Sequence, residues 1–242
     1  YEMVITDADG DVPTQISQME DFITQGVDYI LLAAADPTAL IPVCQEAIAA
    51  GIPVICYDGT IDSDDPATKV IFDFYNDGEI CGQWAAEYIE KNLADKETVK
   101  VAILDFPASP IVCGLRAQGF KETVEKVANV EIVAIQDGKA SRADSMSVME
   151  NMLQAHSDIQ AVFAANDEMA LGALEAIKEG GRTVGENVYL LGIGGGQDAR
   201  QAVTDGNMTG TVQENTNALT NYVLQLLQQF NESLFLLSCF AD

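Results

Sequence analysis

Polar residues and glycines recur in this sequence just after short apolar runs: Asp7, Asp36, Asp58, Asp105 with Phe106, Gln136 with Asp137, Asn166, Gly194 and Glu214. In open parallel sheets the residues beyond the C-terminal ends of strands are the ones that meet ligands. For each of them the competing role is helix capping or turn formation, which Asp, Asn and Gly also favour. Spacing removes several chemistries. Asp7-Ala8-Asp9-Gly10-Asp11 offers oxygens on a tight loop, but an EF-hand needs Gly at its sixth position and Glu at its twelfth, where Val12 and Gln18 stand. A solvated strand-to-helix loop is expected there instead. Gly192-Ile193-Gly194-Gly195-Gly196-Gln197 follows an apolar run, yet it lacks the third glycine of a dinucleotide fingerprint. It is expected to be a sharp turn or a close backbone approach to a ligand. No GxSxG elbow, phosphate-binding GxxxxGK loop or HExxH motif occurs, and His156 is the only histidine. Acyl transfer and metallohydrolysis therefore lose support, and neither a metal nor a cofactor is expected.

Charge narrows the partners. The sequence holds 38 acids against 12 Lys and Arg, a net charge of −26. Such a surface repels a phosphate backbone, so nucleic acid is not an expected partner. Residues 1–90 contain 18 acids and a single base, Lys69, while residues 91–242 contain 20 acids and 11 bases. That asymmetry predicts two different bodies. The five cysteines, Cys44, Cys56, Cys81, Cys113 and Cys239, show no CxxC spacing and lie among apolar neighbours. They are expected to be buried thiols that act as small hydrophobes.

The elements that must position these residues follow from periodicity. Glu2–Thr6, Asp28–Ala34, Pro53–Tyr57, Lys69–Phe74, Val99–Leu104, Val130–Ile135, Gln160–Ala164, Val188–Gly192 and Thr209–Gln213 are predicted strands, with amphipathic helices between most of them. After Asn166-Asp167, the residues Ala170, Ala173, Leu174 and Ile177 trace one helix face that stops at Gly180, and Ile80, Trp84 and Tyr88 trace another. Strands and helices alternating over such short connections make an α/β protein with parallel sheets covered on both faces. The irregular stretch Asp58–Thr68 favours two lobes over one sheet of nine strands. The first holds residues 1–76 plus 215–242, with a returning helix over Asn217–Phe230, and the second holds residues 77–214. Glu232–Leu237 has no amphipathic logic and is left unassigned.

Three blocks carry a resemblance: Ala50-Gly51-Ile52-Pro53-Val54-Ile55-Cys56-Tyr57-Asp58, Arg116-Ala117-Gln118-Gly119-Phe120, and Ala161-Val162-Phe163-Ala164-Ala165-Asn166-Asp167-Glu168-Met169-Ala170-Leu171-Gly172-Ala173-Leu174. Together they closely resemble the ribose-binding branch of type I periplasmic binding proteins, the sugar receptors of ABC importers. The resemblance runs from Tyr1 to about Tyr222. It implies two Rossmann-like lobes joined by crossovers, with a sugar captured between them by hinge closure. It also implies that the first lobe is incomplete, lacking a strand and a helix ahead of Tyr1.

Carried over residue by residue, Asp58, Arg116 and Asn166 match sugar-contacting positions of that family. The chemistry agrees, because a sugar hydroxyl both donates and accepts and so suits acceptor-only Asp, donor-only Arg and dual-purpose Asn together. Phe106, at a strand end, is placed either to stack on a sugar face or to pack in the core. For Arg116 the alternative role is a surface ion pair. The sequence departs from the family pattern at three places: Gly59 replaces an Arg, Gly194 replaces an Asp, and an aromatic wall near Ala140 is missing. The family's Gln at the last crossover aligns with Glu214, next to Gln213. The implied protein is a monomeric solute receptor for a monosaccharide or polyol that docks on ABC permease subunits. It would be periplasmic or extracellular, with a lipid anchor as one form of attachment. Two alternatives are the effector domain of a lactose-repressor-type transcription factor, and an α/β enzyme acting on sugars through Asp58, Asp105 and Asp137.

Overall fold

A computed structural model describes residues 2–239, with side chains described for residues 2–230. The chain divides into two compact units, Tyr1–Phe72 with Asn215–Asp242, and Asp73–Glu214. The division falls at Asp73 and not at Asp77 because Asp73 is the cap of a helix: its carboxylate accepts from the backbone N–H of Asn76 at 3.0 Å, so the new element begins there.

In the first unit α1 (Val12–Gln25), β1 (Ile30–Leu32), α2 (Ile41–Ala49), β2 (Val54–Tyr57) and β3 (Thr68–Val70) are followed, after the second unit, by α8 (Thr216–Cys239). The three strands pair in parallel in the order β1-β2-β3. Asp11 caps α1 through the N–H of Thr14, and Gly26, at φ 67°, ends it in the left-handed conformation glycine tolerates. The core gathers Met19, Ile30, Leu32, Leu40, Val43 and Val54.

Two strand expectations are corrected here. Residues 2–7 form no strand, and Met3, Val4 and Ile5 are 70%, 57% and 77% exposed. The alternation is present in the sequence, but a strand needs a hydrogen-bonding neighbour, and no described strand pairs with this segment. Lys69–Phe74 shortens to Thr68–Val70, because Asp73 and Phe74 open the next helix. The last helix is longer than the stripe suggested and its backbone continues through Glu232–Leu237.

The second unit contains α3 (Phe74–Asn92), β4 (Val99–Asp105), a π-helical turn (Pro110–Gly114), α4 (Leu115–Val124), β5 (Val130–Asp137), α5 (Arg142–Ala155), β6 (Ala161–Ala164), α6 (Asp167–Glu179), β7 (Tyr189–Gly194), α7 (Gln197–Thr204) and β8 (Gly210–Gln213). Its five strands are all parallel, in the order β5-β4-β6-β7-β8. The central strands are buried on both faces, as their unbroken apolar runs require.

Helix α6 buries Ala170, Ala173, Leu174 and Ile177, the face read from the sequence. Helix α3 instead buries Phe74, Gly78, Cys81, Gly82, Ala85 and Ile89. Ile80 and Tyr88 pack only at the rim of the core, and Trp84 is 40% exposed, so that stripe lies beside the buried face. Glycines set the close approach of α3 to α4. A Cβ on Gly78 would lie 2.0 Å from the Arg116 carbonyl, and one on Gly119 would lie 2.1 Å from the Tyr75 carbonyl. Next to Gly119 on α4, Phe120 stacks on Phe163 of β6 with centroids 4.3 Å apart. Together these contacts fix the helix that carries Arg116.

Candidate functional site

All five strands of the second unit run the same way, so Asp105 and Phe106, Asp137, Asn166, Gly194, and Gln213 with Glu214 share one edge of the sheet, its C-terminal edge. Asp105 and Asp137 are direct partners in the β4–β5 ladder, and Gly194 and Gln213 are partners in β7–β8.

Arg116 lies at the heart of this edge. It is 6% exposed and carried on the first turn of α4, just after the π-helical turn. Its Nη1 donates to the Ala165 carbonyl at 3.1 Å, and its Nη2 pairs with the Glu214 carboxylate. The guanidinium carbon lies 5.3 Å from the centre of the Phe74 ring. The ion pair of Arg116 is thus buried, against the surface pair considered from sequence. Burial pushes both Glu214 and Asp77 above the usual carboxylate range, and Arg116 opposes that shift in each.

Asn166 is the N-cap of α6, its Oδ1 accepting from the Met169 N–H at 2.8 Å, which leaves the amide Nδ2 as a donor. It directly follows Ala165, whose carbonyl accepts from Arg116, so the backbone at the end of β6 places both residues at one spot. Asp167, 9% exposed, accepts from Gly196 N–H at 2.7 Å and from the Thr211 hydroxyl at 2.6 Å, tying α6 to the β7–α7 turn and to β8.

That turn explains one departure. Gly194 has φ 137°, and a Cβ there would lie 3.0 Å from an Asp167 carboxylate oxygen, so an Asp side chain would be both strained and repelled. A Cβ on Gly195 would meet Gln213 at 2.5 Å, so the glycine run is a sharp turn held against β8. Gln213 itself is exposed, and Phe106 is partly buried and packed against the core of the second unit. The Asp105 carboxylate accepts from the Phe106 N–H at 2.7 Å, and burial raises its pKa, with Asp137 adding to the shift.

Asp58 belongs to the first unit, at the C-terminal end of β2. It takes φ 60°, unusual for a residue other than glycine, while its N–H donates to the Val70 carbonyl at 3.0 Å. The neighbouring Gly59 is explained by packing: a Cβ there would lie 3.0 Å from both the N and the O of Ala34.

Other residues on the original list serve turns. Asp7 accepts from the N–H of Asp9, Asp36 from those of Thr38 and Ala39, and Asp137 from that of Lys139. The loop at Asp7 thus leads into the α1 cap, and no group of three or more metal-ligating side chains occurs among the described residues. Cys44, Cys56, Cys81 and Cys113 are free and buried, and Cys239 lies outside the described side chains. Burial pushes the thiols of Cys44 and Cys113 up to about 11. Phe74, Asp77 and Asp167 are the site residues that sequence reading did not select. Asp77 sits in the first turn of a capped helix, a signal that indicates helix start and nothing more.

A doubly wound unit that gathers a buried arginine, an amide and carboxylates at the carboxyl edge of its sheet belongs to the class of α/β binding proteins. Residues 1–232 match the periplasmic binding protein domain, and the chain belongs to that family. The ribose import binding protein of Bacillus subtilis (strain 168) is 35% identical over 211 residues, 87% of this chain and 65% of that protein, so the chain spans about two thirds of its length. The galactofuranose-binding protein of Escherichia coli (strain K12) is 31% identical over 219 residues, 88% of this chain and 67% of that protein. Among solved structures, the periplasmic binding protein component of the arabinose ABC transporter from Shewanella sp. ANA-3, bound to L-arabinofuranose, matches with a TM-score of 0.79 and 33% identity. It covers 90% of this chain and 74% of that one. The fold is therefore that of a type I periplasmic binding protein.

Proposed function

We propose that this chain is the ligand-binding part of an extracytoplasmic receptor that captures a monosaccharide or polyol for an ABC importer. The observation that carries the reading is the buried Arg116 beside Asn166 at the carboxyl edge of the second sheet, in a chain of this family. Arg116 and Asn166 supply donors and Glu214 an acceptor, the mixture that neutral hydroxyl groups satisfy. Asp58, Phe106, Gly194 and Gln213 are proposed as further ligand contacts, with Phe106 offering a ring face and Gly194 an open backbone approach. Import of a bound solute calls for no covalent step, and related proteins named for import and sugar binding support that role over a sugar-processing enzyme or a repressor domain. The receptor is proposed to act as a monomer, to dock on permease subunits, and to work outside the cytoplasm, with lipid anchoring as one route of attachment.

Isothermal calorimetry of the protein against pentoses, hexoses, inositols and sugar alcohols tests this. Micromolar binding, about 8 kcal/mol, by at least one of them is the expected result. Heat only with amino acids or peptides would overturn it.

A further inference from the structure

At the carboxyl edge of the second sheet, Arg116, Lys139 and Arg142 are each matched with a carboxylate. Arg116 pairs with Glu214, Lys139 with Asp144 at 3.7 Å, and Arg142 with Glu168 and Asp198 at 3.0 Å each. Asp105 and Asp137 end neighbouring strands at the same edge, and neither is within ion-pair distance of a base among the described residues. The edge therefore carries an excess of negative charge. The Arg116 pair differs from the other two in burial: its side chains are 7% and 11% exposed, against 43% or more for every member of the others. Water screens the exposed pairs, whereas the charges of Arg116 and Glu214 act through a far less screening medium.

A buried arginine without a counter-charge is a natural binder of carboxylate and phosphate groups, because its planar fork meets two oxygens at once and its charge is never lost. Glu214 removes both advantages. It engages Nη2 and cancels the charge, while the Ala165 carbonyl engages Nη1 at 3.1 Å. The Nε–H has no partner among the described residues. A hydroxyl suits a guanidinium in this state, since it accepts a hydrogen bond and brings no charge. An anionic group would instead be held against Glu214.

We propose that Glu214 is a specificity-determining residue: by neutralising Arg116 within the site it admits uncharged sugars and polyols and rejects their anionic relatives, the sugar acids and sugar phosphates. The inference rests on the reading of Arg116 as a ligand contact. Rejection arises from an unfavourable charge contact, not from a lost hydrogen bond. Replacing Glu214 by glutamine keeps the shape of the side chain and an oxygen acceptor for Nη2, but leaves the guanidinium charge uncancelled. The altered site should then favour an anion.

Arg116 is its own reporter, because the sequence holds only four arginines and its Nε–H signal is assigned by its loss in Arg116→Lys. The whole chain, labelled with nitrogen-15, is titrated by NMR at neutral pH and constant ionic strength with inorganic phosphate, D-galacturonate and D-galactose. Both anions should leave the Arg116 signal of the unaltered protein in place and shift that of Glu214→Gln saturably, a gain in affinity of at least about tenfold. D-galactose should show no such gain. A saturable shift by either anion in the unaltered protein, no response in either protein, or an equal gain for D-galactose overturns the proposal. Circular dichroism checks that Glu214→Gln is folded. Should it not be, Glu214→Asp, which draws the charge back from Nη2, takes its place with a smaller gain in the same direction expected, and no gain there overturns the proposal as well. Phosphate reads the charge at Arg116 without any sugar, so failure of the calorimetric panel would remove sugar capture while the effect of Glu214 on anions is still decided.

Discussion

Arg116 shows how far a residue's type can be read and where the reading stops. Its match to a ligand-contacting position came from its neighbours, but its partner Glu214 lies 98 residues away, and nothing in the local sequence announces the pair. Removing one member of a buried pair strands the other without compensation. Arg116→Ala should therefore lower stability by about 3 kcal/mol as well as weaken ligand binding, and urea unfolding followed in the second unit checks this. Intact stability with only binding lost would mean that Glu214 and Asp77 reach water readily. Asn166 allows a cleaner separation, because its cap was legible from the Asn-Asp start of a periodic helix and its amide donor was not. Asn166→Asp keeps an equally good cap but removes the donor. The melting temperature should hardly move while sugar affinity drops at least about tenfold, the value of one lost hydrogen bond. A matched loss of stability would show that capping is its whole role.

Helices and strands were legible wherever burial on one face imposes a period. The buried face of α6 follows from that rule, whereas the inner strands of the second sheet were legible from apolar runs unbroken by polar residues, as burial on both faces requires. The first predicted strand failed because alternation describes a side-chain pattern and not the neighbour that a strand must pair with. Another element-scale feature escaped the sequence: the glycines that let α3 and α4 touch through backbone. Gly78 and Gly119 sit in helix interiors, where glycine is otherwise unfavourable, and in the structure each faces a carbonyl at a distance no side chain permits. Gly119→Ala should force α4 away from α3 and move Arg116 with it. The expected cost is about 1 to 3 kcal/mol despite the better helix propensity of alanine, and circular dichroism on heating measures it. An unchanged or higher melting temperature would mean that the two helices can slide apart freely.

At the scale of the molecule, the two units differ in charge, since residues 1–72 hold 13 acids and a single base, Lys69. The units differ in more than charge. The second builds a five-stranded sheet whose inner strands are buried on both faces, while the first has three short strands, and Leu31 on its edge strand β1 is 36% exposed. Local opening free energy rises with buried apolar contact and with the number of backbone hydrogen bonds that must break together. Both quantities favour the second unit, whose core runs from Cys81 to Val212 and includes the stacked rings of Phe120 and Phe163. The concentration of acids on the first unit adds self-repulsion without nearby bases to offset it. Native-state hydrogen exchange should therefore find the amides of β1 and β3 opening at distinctly lower free energy than those of β4, β6 and β7. Added salt should narrow the gap by screening the acids. Residues 2–7, which form no strand, should exchange fastest of all. Equal protection across both sheets, insensitive to salt, would show that the first unit draws its stability from something other than the burial and pairing described for it.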